Sequence, residues 1–179
     1  DSAFQWCSSH NSSFKLNTAP DYDSNTHFFY QNVRGLRSKV PTLYNNICSS
    51  SFEFIALSET WLSEDILNSE LFPDNYLVYR KDRNFAATNV TKGGGVLIAL
   101  FNTFVYSQID LLHITSTLPI IDILGLKIKS SCGLSLYVFI VYIPPSINLT
   151  DYELFLYLFS AVEESHMDKV IVLGDFNVL

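Results

Sequence analysis

A layered α/β fold, with two sheets packed together and helices outside, is what this sequence predicts. Three observations carry that reading. Several short runs are apolar at nearly every residue, as strands buried on both faces are, among them Val96-Leu97-Ile98-Ala99-Leu100 and Val170-Ile171-Val172-Leu173. Two other segments repeat apolar residues at helical spacing. The two kinds of run mingle along 179 residues with no internal repeat and no dividing linker, enough chain for one domain with a real core.

Residues 1 to about 26 are rich in Ser, Asn and Asp without an apolar period. They predict a poorly ordered lead-in, leaving 27–179 as the domain. His27 to Asn32 is a short aromatic strand, and Gly35 turns the chain after it. Leu36, Val40, Leu43 and Ile47 recur at helical spacing, so 37–49 is an amphipathic helix with Pro41 in its first turn. Phe52 to Leu57 is the second strand, ending in Ser58-Glu59-Thr60-Trp61. A short helix over 64–69 leads to a third strand, Tyr76 to Arg80.

Gly93-Gly94-Gly95 then enters the strand Val96–Leu100. A phosphate-cradling loop would need Gly-Lys-Ser/Thr and a following helix, and neither is present. The triplet reads as a tight turn. Strands follow near 103–109, 121–129 and 134–143, the last two joined as an antiparallel hairpin through Ser130, Ser131 and Gly133. Thr150-Asp151-Tyr152-Glu153 has the pattern of a capping box with Thr150 as N-cap. It opens a helix to about 165 whose Tyr152, Phe155, Leu156, Phe159 and Val162 form the apolar face. The strand Val170–Leu173 ends at Gly174-Asp175-Phe176-Asn177.

Composition narrows the function classes. The net charge of −7 argues against tight, sequence-independent DNA binding by this chain alone. The longest apolar stretches, such as Leu136 to Pro145, fall far short of a membrane span, and no signal peptide is legible. Cys7, Cys48 and Cys132 have no metal-site spacing and leave one unpaired, which favours a reduced intracellular setting. Asn-x-Ser/Thr triplets at Asn11, Asn89 and Asn148 are then chance matches.

Chemistry gathers at strand ends. Asn32, Glu59, Tyr142, Asp175 and Asn177 each sit at or just past a strand terminus, where α/β folds place ligands. Converging on one edge, they would supply two carboxylates, two amides and a phenol. Carboxylate and amide oxygens suit a hard cation such as Mg²⁺. Such a cation polarises a phosphoryl oxygen, a second carboxylate can orient or deprotonate water, and amide and phenol donors can meet charge on phosphate. Each residue taken alone has a plainer reading, as a turn former, a cap or core.

The blocks Gln31-Asn32-Val33-Arg34-Gly35-Leu36, Ser58-Glu59-Thr60-Trp61-Leu62, Arg80-Lys81-Asp82-Arg83, Gly93-Gly94-Gly95-Val96, Val141-Tyr142-Ile143-Pro144-Pro145 and Gly174-Asp175-Phe176-Asn177, in this order, resemble the exonuclease–endonuclease–phosphatase superfamily. Within it the sequence most resembles the apurinic-endonuclease-like domain of non-LTR (LINE-type) retrotransposons. The resemblance implies a DNase I-like, four-layered α/β sandwich that cleaves phosphodiester bonds with Mg²⁺ or Mn²⁺. It also implies DNA as partner, a reverse transcriptase domain downstream and a nuclear setting. By position, Glu59 would ligate the metal with Asn32 beside it. Tyr142 would contact the phosphate, Asp175 would position or activate the water, and Asn177 would assist at the phosphate. Arg80 and Asp82 would be a supporting pair.

Two departures stand out. Many hydrolytic relatives carry an acid two positions after the first Asn, where this chain has Arg34. The family also finishes its site with a later Asp and a Ser-Asp-His block. That leads to the expectation of a C-terminally truncated, inactive domain, with a non-catalytic relic or another phosphoesterase of the superfamily as alternatives. His10, His27, His113 and His166 read as surface or structural residues.

Overall fold

The structure is a computed structural model; it describes residues 12–15, 25–83, 92–129, 135–163 and 169–177. The first sheet holds five strands: β1 (Ser12–Lys15), β2 (Asn25–Asn32), β3 (Phe54–Ser58), β4 (Tyr76–Lys81) and β5 (Val96–Phe101), in spatial order β1-β2-β3-β5-β4. The second holds β6 (Val105–Gln108), β7 (Asp122–Lys129), β8 (Ser135–Tyr142) and β9 (Val170–Asp175), in that order. Four α-helices are described: α1 (Val40–Cys48), preceded by a 3-10 turn at Arg37–Lys39, α2 (Asn68–Leu71), α3 (Leu112–Thr117) and α4 (Leu149–Glu163).

Strand alternation builds the layers. In β3, Phe54 and Ala56 face the second sheet, while Ile55 and Leu57 face the helices. All four are fully buried, which is why the run reads apolar without a break. Phe28, Val96, Ile98 and Leu100 of the first sheet meet Leu126, Ile128, Val138 and Ile140 of the second in one inter-sheet core. Outside the first sheet, Leu43 and Ile47 of α1 and Leu71 of α2 pack on Phe29, Leu57 and Leu97. Outside the second, Ile114 of α3 and Phe155 and Phe159 of α4 cover Ile123, Phe139 and Val141. The result is the expected sequence of helix, sheet, sheet and helix.

Two crossovers set up the functional edge. β2 pairs with β3 in parallel across α1, and β8 pairs with β9 in parallel across α4. Parallel neighbours end on the same side, so each pair delivers two carboxyl ends together. Elsewhere β7 and β8 form the expected antiparallel pair, from Asp122↔Tyr142 to Lys129↔Ser135. Their connecting turn, and the helix expected beyond 163, lie outside the described residues.

Three local expectations change. Helix α4 starts two residues earlier than its apparent capping box requires. Asn148, not Thr150, is the N-cap: its Oδ1 accepts from Asp151 N–H at 2.8 Å, and its Nδ2 donates to Asp151 Oδ2 at 2.7 Å. The N-cap is thus set two residues upstream, and its second bond runs between the two side chains instead of returning to the N-cap backbone. On the same helix Phe155 and Phe159 are buried, but Leu156 lies on the exposed flank. Val170–Leu173 is apolar on both faces but only half-buried, because β9 has one neighbouring strand among the described residues. Within the expected lead-in, Ser12–Lys15 is a strand paired antiparallel to β2, from Ser12↔Phe28 to Lys15↔Asn25. The rest of 1–24 is outside the described residues.

Candidate active site

The site lies where the two parallel pairs end against each other. Asn32 closes β2, and in register beside it stands Ser58, which closes β3. Glu59 follows at once with φ +55°. Left-handed backbone is uncommon outside glycine, and turning the chain there swings the carboxylate out of the strand path. The bend is pinned by backbone bonds: Gly35 N–H donates to Glu59 O at 2.7 Å, and Thr60 N–H to Gly95 O at 3.2 Å. On the facing sheet, Tyr142 and Asp175 stand in register at the ends of β8 and β9.

Asn32 joins the sheets. Its Nδ2 donates to Asp175 Oδ2 at 2.6 Å, and its Oδ1 accepts from Arg34 N–H at 3.1 Å. Both ends of the amide are therefore in use, with the nitrogen toward the carboxylates. The Glu59 carboxyl is pushed above its ordinary value, first by burial, then by the charge of Asp175 and a hydrogen-bonding contact with it. A bond from Asn32 and the nearby charge of Arg34 oppose that rise. Glu59, Asn32 and Asp175 thus form one group, although 143 positions separate the last two.

Tyr142 is buried, and its phenol is raised by burial, then by Glu59. Arg83 lowers it, while Asp175 and Asp122 add to the rise. The phenol lies near Gly93, whose added Cβ would stand 3.4 Å from Tyr142 Oη. Asn177, at φ +40°, donates its Nδ2 to Ile143 O at 3.0 Å, tying the chain after β9 to the chain after β8. Arg80 and Asp82 pair at 2.9 Å. Arg80 also donates to Ile66 O at 2.6 Å and to Ser63 O at 2.9 Å. The pair thus braces the loop that follows Glu59.

Several residues had no functional signal in the sequence. Tyr30 Oη lies 3.0 Å from Ser58 Oγ, between the sheets and under the carboxylates, and burial raises this phenol further than Asp175 and Glu59 do. Its place could have been inferred from spacing alone, since Tyr30 and Asn32 share a strand face. Asp122, buried beside Arg83, gave no such cue. On the outer flank Arg34, Gly35, Arg37, Ser38, Trp61, Ser63 and Lys92 line an open cleft of about 450 Å³. Three cations and an indole gather there on a chain whose net charge is −7.

The donor set was tested against a divalent cation. Among the described residues no cluster of three or more His, Cys, Asp or Glu side chains forms. Two carboxylates and an amide do meet, and Glu59 is raised by burial and by the neighbouring Asp175. Mg²⁺ takes one or two protein carboxylates and keeps several waters, so the oxygen-only set fits that ion. The described histidines are remote: His27 lies near the start of β2, five residues before Asn32, and His113 lies in α3.

No protein-family model matches the chain, and no curated protein does. Solved structures do. The endonuclease domain of TRAS1, a telomere-specific non-LTR retrotransposon, superposes with a TM-score of 0.57 at 14% identity, over 84% of this chain and 58% of that one. The Xenopus laevis APE2 catalytic domain gives 0.55 at 16% identity, over 84% and 57%. D. rerio TDP2, complexed with a single-stranded DNA product, gives 0.54 at 17% identity, over 84% and 60%. The chain thus spans less than two thirds of each of these three structures. In its two facing sheets and its outer helices, this chain shares the fold of these three structures, the four-layered α/β sandwich that the sequence predicts.

Proposed function

We propose that this chain carries the metal and phosphate half of a divalent-cation-dependent phosphodiesterase site. The substrate would be DNA, nicked as in the endonuclease of a non-LTR retrotransposon. The observation that carries the reading is the meeting of Glu59, Asn32 and Asp175 across two sheets. No fold requires a carboxylate pair at a sheet junction, where like charges repel and burial is unfavourable. A bound cation would offset that repulsion.

In this reading Glu59 holds Mg²⁺ or Mn²⁺ with Asn32 beside it, and the ion supplies Lewis-acid polarisation of a phosphoryl oxygen. Asp175, oriented by Asn32, accepts or orients the proton of the attacking water. The Tyr142 hydroxyl and the Asn177 amide donate toward the phosphate oxygens. The cleft of Arg34, Arg37, Lys92 and Trp61 borders the Asn32 and Glu59 turns; with Arg37 paired to Asp65 at 2.7 Å, Arg34 and Lys92 offer the DNA backbone local positive charge. A reverse transcriptase domain in the same polypeptide and a nuclear setting belong to this reading as well.

A second reading, a chain that binds but does not cut, is favoured by the absence of any described histidine at the site. We therefore expect no strand cleavage by these 179 residues alone. The test combines metal binding and cleavage. Mn²⁺ should broaden the NMR signals of Asn32 and Asp175 in the native chain and leave them sharp in Glu59→Gln. Supercoiled plasmid with Mg²⁺ should remain uncut. Absence of site-specific broadening would overturn the metal site. Metal-dependent nicking lost in Glu59→Ala would keep the enzyme class and overturn the expected inactivity.

A further inference from the structure

Arg83 and Asp122 are almost wholly buried, 3% and 2% exposed at the side chain, with Arg83 Nε 3.2 Å from Asp122 Oδ2. Two charges out of water must be held by more than each other. Arg83 also donates to Ile120 O, and Asp122 Oδ2 accepts from Gly95 N–H at 2.8 Å. Burial raises the Asp122 carboxyl against the Gly95 bond and the Arg83 charge. The guanidinium carbon of Arg83 stands 5.0 Å from the centroid of the Tyr142 ring, a cation–π distance. In the antiparallel ladder, Asp122 is the direct cross-strand partner of Tyr142, so both side chains leave the second sheet on one face.

The three glycines complete the arrangement. A Cβ on Gly94 would fall 2.6 Å from both Arg83 Nε and Asp122 Oδ2, and one on Gly95 would fall 2.5 Å from Thr60 Oγ1. All three glycines have positive φ. The turn is pressed between the ion pair, the Tyr142 hydroxyl and the residue after Glu59. Nothing in the bare needs of a hairpin turn explains a buried ion pair there. We propose that Arg83 and Asp122 are positioning residues, which fix the Tyr142 phenol at the carboxylate group by stacking on its ring and by anchoring the glycine turn against it.

The charged groups that face Tyr142 come from four elements: Glu59 after β3, Arg83 after β4, Asp122 on β7 and Asp175 on β9. Arg83 is the single cation among them. The inference rests on the reading of Tyr142 as a phosphate contact, but the positioning itself is measured without DNA. The probe is the 179-residue chain with ¹³C-labelled tyrosine, the Tyr142 signal being identified by its loss in Tyr142→Phe. Arg83→Met and Asp122→Asn should move that signal, while exposed Tyr157 stays in place. Arg83→Lys keeps the charge but not the planar stack, so it should move the signal least. An unmoved Tyr142 signal in any folded variant overturns the proposal, as does a shift shared equally by Tyr157. Arg83→Lys, the mildest change, decides if the other two do not fold. In a second arm, a short oligonucleotide with Mg²⁺ is added to the native chain. A Tyr142 response, weakened several-fold in Arg83→Met, supports both ideas. No response in the native chain overturns the phosphate role of Tyr142 and leaves the positioning result standing.

Discussion

The Nδ2 of Asn32 donates to Oδ2 of Asp175 at 2.6 Å, from the end of one sheet to the end of the other. The bond places a donor beside two carboxylates that would otherwise face each other uncompensated. Asn32→Ala removes it and leaves the charges. The expected cost is about 1–3 kcal/mol in urea denaturation at neutral pH, the range for stranding a polar partner that is partly buried. Millimolar Mg²⁺ should restore part of this loss. A variant as stable as the native chain, with no response to Mg²⁺, would show that the amide does not hold the group together.

Glu59 sets a pH dependence whose sign follows from its raised carboxyl. The folded chain holds this proton more tightly than the unfolded chain does. Its contribution to stability is therefore largest below the unfolded value of 4.5 and declines as pH rises from there toward the folded value. Glu59→Gln should flatten that decline and raise the midpoint of thermal unfolding at pH 7 relative to the native chain. Asp82 and Asp122 are raised in the same direction and should keep a residual slope. Melting curves from pH 4 to 8 check it; a steeper slope in Glu59→Gln would contradict the assignment.

The glycine turn gives a ranked pair. Gly94→Ala combines left-handed backbone with a Cβ 2.6 Å from a buried ion pair, and should cost about 2–4 kcal/mol. Gly93→Ala meets Tyr142 Oη at an ordinary 3.4 Å and should cost about 1–2 kcal/mol, mainly from its φ. Chemical denaturation of the two should preserve that order; the reverse order would mean that the ion pair moves aside readily.

Helix α4 distinguishes two caps. Asn148→Ala should cost about 0.5–2 kcal/mol, the usual loss for an N-cap side chain. Thr150→Ala, at the second residue of the helix, should be close to neutral. Equal losses would return the cap to Thr150.

Much of the fold was legible because its strands bury both faces. Uninterrupted apolar runs such as Phe54–Leu57 and Val96–Leu100 announce a sandwich, and Pro41 in a first turn announces the start of α1. Asn32, Glu59, Tyr142 and Asp175 were legible as strand ends. The α4 cap was misplaced because two overlapping patterns, Asn148-x-x-Asp151 and Thr150-x-x-Glu153, fit the same rule. β9 was expected to be buried because hydropathy reports which faces are apolar, not how many neighbouring strands cover them.

The sequence by itself determined the layers, the strand ends and the kinds of chemistry that they carry, since periodicity and residue type are local properties. Only the tertiary structure decided that Asn32 lies between Glu59 and Asp175, that Arg80 and Asp82 brace a loop, and that Arg83 stacks on Tyr142 beside Asp122. Those are distances between residues far apart in the chain. They are set by the register of parallel strands and by one sheet packing on another, and no local pattern encodes either.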